Sequence, residues 1–149
     1  MPYDLKWDAL SPSDFEEFVF WLVTALGYDD PKRVSGTGDE GEDIVAFLRP
    51  LPNIGVSGRK WVFQCKHTNR VTKADIEGEL ANFIAGGIDT WVLVTTAQPS
   101  TQMRRWFERL RSSMRYPFHI EAWWGEDVER ITRATDEPLL KVLPLRLSA

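Results

Sequence analysis

Lys60-Trp61-Val62-Phe63-Gln64-Cys65-Lys66 reads as a β-strand, because aromatic and β-branched residues fill its middle and no Gly or Pro interrupts it. Strand side chains alternate between faces, so Trp61, Phe63 and Cys65 share one side while Val62, Gln64 and Lys66 share the other. The first row is the expected core face and the second carries the polar groups. Lysine is rarely buried without a partner, so an amide and an ammonium group closing an apolar strand require a reason. Upstream, Asp43-Ile44-Val45-Ala46-Phe47-Leu48 is a second strand by the same criteria. Pro50, Pro52, Gly55 and Gly58 mark the turn between the two, which predicts a hairpin with a long loop.

Working outward, the Gly-rich polar run Ser35-Gly36-Thr37-Gly38-Asp39-Glu40-Gly41-Glu42 reads as a loop leading into the strand at Asp43. Before it, Ser11-Pro12-Ser13-Asp14 has the composition of a helix start, and Phe15, Phe18, Val19, Leu22 and Leu26 recur at helical spacing until Gly27. After the second strand, residues 72–85 form a predicted helix with an apolar stripe of Ile76, Leu80, Phe83 and Ile84, ended by Gly86-Gly87. Trp91-Val92-Leu93-Val94-Thr95 is the continuous apolar run of a strand covered on both faces. A helix over residues 100–114 follows, with Met103, Phe107, Leu110 and Met114 inward and Arg104, Arg111 and Arg115 outward. A strand over 118–123 and a short helix over 126–133 complete the chain. The order α-β-β-α-β-α-β-α predicts an α/β fold, a mixed β-sheet flanked by helices, in a single domain spanning 1–149.

Composition bounds the function classes. Apolar residues make up 43% of the 149 positions and charged residues 27%, the balance of an ordinary globular domain. A net charge of -4 argues against a general polyanion binder, so any contact with nucleic acid must be local. The one cysteine excludes a disulfide framework and a Cys-rich zinc site, and suits a reducing cytoplasm. The start, MPYDLKWDAL, lacks the basic and apolar segments of a secretory signal, and no apolar stretch approaches the ~18 residues that span a membrane. A soluble, cytoplasmic protein without a membrane partner is the expectation.

The strand pair offers a specific chemistry. Asp43 begins the strand beside Gln64 and Lys66, which would unite a hard oxygen ligand, a second polar ligand and a cation, as a Mg²⁺ site for phosphodiester hydrolysis requires. Asp43 would bind the metal with the side-chain oxygen of Gln64 and the backbone carbonyl of Cys65, and Lys66 would stabilise charge developing on the phosphate. Such a shell is thin, and a further carboxylate is expected. On the first helix, ~100° per residue puts Glu16 at the border of the apolar stripe and Glu17 on the opposite side. Glu16 is therefore the candidate, contacting the metal directly or through water. His67, Arg70 and Lys73, just past the catalytic strand, are candidates for substrate phosphate. Cys65 alternates onto the core face and reads as an inert packed thiol.

Three blocks in this order carry a resemblance: Phe15-Glu16 with Glu16 eleven residues before Gly27, Gly38-Asp39-Glu40-Gly41-Glu42-Asp43-Ile44-Val45, and Val62-Phe63-Gln64-Cys65-Lys66. Together they resemble the Mrr-type branch of the PD-(D/E)xK restriction-endonuclease-like superfamily, over residues 11 to 100. The resemblance implies a restriction-endonuclease-like fold and Mg²⁺-dependent cleavage of DNA, with Mn²⁺ able to substitute. It implies catalytic residues at Glu16, Asp43, Gln64 and Lys66 and a role in restriction or defence. Gln64 stands where the wider superfamily has an acid and is similar to what the Mrr-type branch uses. An acidic surface without a base-reading motif implies a partner recognition domain or a homo-oligomer for finding substrate. No residue distinguishes DNA from RNA or duplex from junction, and an inactive binding module on the same fold is the rival from another class.

Overall fold

The computed structural model describes residues 7–34, 43–48 and 59–135. Five strands form one mixed sheet in the spatial order β1 (Asp29–Val34), β2 (Asp43–Leu48), β3 (Arg59–Lys66), β4 (Thr90–Thr95) and β5 (His119–Trp123). The β1–β2 and β2–β3 pairs are antiparallel, whereas β3–β4 and β4–β5 are parallel. The β2–β3 pair is the expected antiparallel partnership, with Asp43 opposite Gln64 and Val45 opposite Val62. Parallel neighbours need a crossover between them, supplied here by α2 (Lys73–Ala81) and α3 (Thr101–Ser112). α1 (Pro12–Ala25) precedes the sheet and α4 (Gly125–Thr135) follows it.

Helix starts follow local chemistry. Ser11 accepts a hydrogen bond from the Asp14 backbone while the Asp14 carboxylate accepts one from the Ser11 backbone, and Pro12 occupies the first turn of α1. Thr72 and Asp75 repeat the reciprocal arrangement at the start of α2. Gly125 opens α4 because nothing larger fits: a Cβ there would lie 2.6 Å from the Thr96 carbonyl oxygen.

Both faces of the sheet are covered. Phe15, Phe18, Val19 and Leu22 of α1, with Val128 of α4, pack on Ile44, Phe63, Cys65 and Val94. On the other side, Ile76 and Leu80 of α2 and Met103, Phe107 and Leu110 of α3 cover Val62, Trp91, Leu93 and Ile120. The row holding Val62, Gln64 and Lys66 is therefore not a polar face, as the alternation alone implied. It is a second core whose final two residues are polar. β4 is buried at all six positions, which explains its unbroken apolar run.

Three readings are corrected. β1 was not foreseen, because Asp29-Asp30-Pro31-Lys32-Arg33-Val34 has four charges, a proline and no alternation. Backbone pairing to β2 holds it at the sheet edge, where Pro31 is tolerated and a bulge lies between Asp29 and Lys32. Met114 is 87% exposed rather than packed, since α3 ends at Ser112 and Met114 takes a positive φ of 57° in the following turn. Ile84 is likewise exposed because α2 ends at Ala81 and the chain turns before it. At the other edge, the Arg111 guanidinium donates to the Ile120 carbonyl of β5 at 3.0 Å and bridges Glu108 and Glu121, each at 2.9 Å. The Gly-rich run 35–42 and the turn at 49–58 lie outside the described residues.

Phe18 is wholly buried between α1 and the sheet. Phe18→Ala is expected to cost about 3–5 kcal/mol in urea unfolding, while Met114→Ala stays within about 0.5 kcal/mol of wild type.

Candidate active site

The polar groups gather at the C-terminal end of β3, the central strand. Positions 43 and 64 are direct partners in the antiparallel ladder, so they fall on one face of the sheet, the face covered by α2 and α3. Position 66 falls on that face too, two residues further along β3. The structure describes Asp43 by its backbone register; its side chain lies outside what is described.

Gln64 is 1% exposed, and its side-chain carbonyl oxygen has no hydrogen-bond partner among the described residues. An unpaired buried acceptor costs about 1–3 kcal/mol, so a native protein retains one where something else uses the oxygen. A hard oxygen donor beside position 43 suits a divalent cation. Among the described residues, no group of three His, Cys, Asp or Glu side chains forms a metal cluster by itself. A site here would need the Gln64 amide oxygen and position 43 together.

Lys66 lies beside two acids of α2. Its ammonium nitrogen is 3.9 Å from Glu79 Oε1, with the two side chains 13% and 24% exposed. Asp75, one helical turn before Glu79, has its carboxyl held below the usual carboxylate range. The backbone N–H of Thr72 is the main cause; burial opposes it, and the Thr72 hydroxyl and the Lys66 charge reinforce it. Glu79 was missed in the sequence. Its signal was helical: it follows Ile76 by three residues, on the flank of the stripe that packs against the sheet.

Glu16 is buried, as its place at the border of the α1 stripe implied, and Glu17 is exposed. Glu16 Oε1 accepts a hydrogen bond from Arg33 Nη2 of β1 at 3.2 Å. It lines a cavity of about 420 Å³ together with Lys66, His67, Arg70 and Asp75. The helix acid and the strand lysine thus meet at one opening although α1 and α2 cover opposite faces of the sheet.

His67 lines this cavity, and its Nε2 is 2.7 Å from the Trp7 backbone carbonyl, which ties the N-terminal turn to the end of β3. Arg70 lines both this cavity and a neighbouring groove of about 640 Å³ that also holds Lys73, Gln98 and Gln102. Lys73 sits over the Trp106 ring, 5.8 Å from its centroid. Thr96 Oγ1 donates to the Thr68 carbonyl and accepts from the Thr68 N–H, pinning the loops after β3 and β4 together. The basic residues of α3 and of the turn after it are committed elsewhere: Arg104 pairs with Glu126 at 2.8 Å, Arg111 with Glu108 and Glu121, and Arg115, beyond the end of the helix, with Glu77 at 3.8 Å. Cys65 is buried in the α1-side core.

A restriction endonuclease family model, Mrr_cat, matches residues 7–131. No curated protein matches the chain. Among solved structures, the fold is similar to the DNA modification-dependent restriction endonuclease AspBHI, with a TM-score of 0.61 and 16% identity over 86% of this chain. It is also similar to the MspJI restriction endonuclease in complex with a 27-mer oligonucleotide, with a TM-score of 0.55 and 15% identity over 88% of this chain. The chain spans 32% and 31% of those two chains. No helix among the described residues is long and apolar enough to cross a membrane.

Two outcomes follow. In metal-free protein, Gln64→Met removes a buried acceptor that is unpaired among the described residues, at similar volume, and urea unfolding should show a gain on the order of 1 kcal/mol. For Asp75 the folded pKa lies below the unfolded value of about 3.9, so its contribution is present above that value and is lost as pH falls through the folded one. The stability gap between wild type and Asp75→Asn, present at pH 7, should therefore shrink progressively below about pH 4.

Proposed function

This chain belongs to the restriction endonuclease family whose Mrr_cat model covers residues 7–131, and we propose that it is a Mg²⁺-dependent endonuclease hydrolysing DNA phosphodiester bonds. The observation that carries the reading is the orphaned Gln64 carbonyl, opposite Asp43 in the ladder and two residues before Lys66. Asp43, the side-chain oxygen of Gln64 and the backbone carbonyl of Cys65 would hold the cation, with Mn²⁺ able to replace Mg²⁺. When bound, the cation supplies Lewis-acid polarisation of the phosphodiester and acidifies a water molecule.

The chain's own residues do the rest. Lys66 stabilises negative charge developing on the scissile phosphate, in a largely desolvated position where a cation acts more strongly than in water. Glu16, with one oxygen engaged by Arg33, would contact the metal directly or through water. Arg70, Lys73 and His67 flank the opening and contact substrate phosphates. These few cations give local affinity to a chain whose net charge is -4. Substrate finding is assigned to self-association or to a partner recognition module, and the biological role to restriction or defence. A reduced, buried Cys65 agrees with a cytoplasmic setting.

The test is nicking of supercoiled plasmid with Mg²⁺, Mn²⁺ or EDTA. Wild type should nick only with metal, and Asp43→Ala and Lys66→Ala, folded by circular dichroism, should lose at least about 100-fold in rate. Persistence of nicking in both variants would overturn the site, and cleavage of RNA in place of DNA would overturn the substrate.

A further inference from the structure

Lys66 closes the central strand with a side chain only 13% exposed, and a charge so placed needs an anion nearby. The Glu79 carboxylate contributes to that need from α2 at 3.9 Å, beyond hydrogen-bond length. A contact of that length steers the ammonium group by charge without committing one of its donors to Glu79. The placement of Glu79 is fixed by packing rather than by its own reach. Ile76 and Leu80 of α2 are buried against the sheet, and Glu79 lies about 60° around the helix from Ile76. Glu77 on the same helix points outward and pairs with Arg115 instead. The Thr72 cap fixes the start of α2, and Asp75, one turn before Glu79, also feels the Lys66 charge.

Building on the nuclease reading, we propose that Glu79 is a positioning residue for Lys66, holding the ammonium group over the end of β3 where the scissile phosphate would gain charge. It acts through Lys66 and touches neither metal nor substrate. α2 is thereby part of the site as well as a cover for the core.

The experiment uses the full chain and two readouts. In Mg²⁺-dependent cleavage of a duplex oligonucleotide, Glu79→Gln should lower kcat by on the order of 10- to 100-fold, with KM and Mn²⁺ affinity unchanged. Glu79→Asp, which keeps the charge, should recover part of the loss. In urea unfolding, Glu79→Gln should change the folding equilibrium by about threefold or more in wild type and by clearly less in a Lys66→Gln background. Equal effects in both backgrounds would overturn the inference, as would a wild-type or raised kcat in Glu79→Gln, the latter marking Glu79 as a restraint. If wild type cleaves nothing, the nuclease reading fails by itself, and the unfolding cycle still decides whether Glu79 holds Lys66.

Discussion

The site depends on burying an amide carbonyl at the end of a central strand with nothing among the described residues to pair it. Desolvating the Gln64 oxygen opposes folding, so the surrounding packing must supply a surplus at that point. The two cores do so. Phe63 and Cys65 anchor β3 to α1, Val62 anchors it to α2 and α3, and Gln64 falls between these anchors on a strand paired along both edges. A strand held on four sides cannot rotate its polar end toward solvent to relieve the cost. The rigidity that makes the orphan oxygen expensive also fixes its direction, and a ligand oxygen in a metal site must be fixed.

The same economy governs the charges. Lys66 and Glu16 are both largely buried, and each has an opposite charge within reach on a different element, Glu79 on α2 and Arg33 on β1. Removing either partner would weaken the compensation of a charge in a poorly solvated place. The cations of α3 and of the turn after it, in contrast, are spread over exposed pairs whose net contribution is small. Burial thus separates the charges of the candidate site from surface charge more sharply than position along the chain does.

Much of this was legible in the chain. Regular elements with strong periodicity, α1 and the continuous run of β4, announced themselves, as did the strand pair and the order of crossovers. Glu16 was distinguishable from Glu17 because three-dimensional position on a helix is a function of residue number. β1 was hidden because an edge strand can be held by backbone pairing alone, which leaves no mark on side-chain chemistry. Met114 and Ile84 misled because they continue an apolar stripe past the point where the helix stops. Glu79 was hidden for a different reason: an acid on a helix reads as solvated surface until the strand beneath it is known to end in lysine.

The two borders of the sheet are closed in unlike ways. On β1, Pro31 lacks a donor and the bulge breaks the spacing of the ladder, while on β5 the Arg111 guanidinium already occupies the Ile120 carbonyl. An incoming strand from another molecule would meet an interrupted row on one side and a plugged one on the other. Assembly by sheet extension is thereby disfavoured, whether as an ordered dimer or as an aggregate. Copies of this chain that associate would then join through helices or loops and not through strand edges.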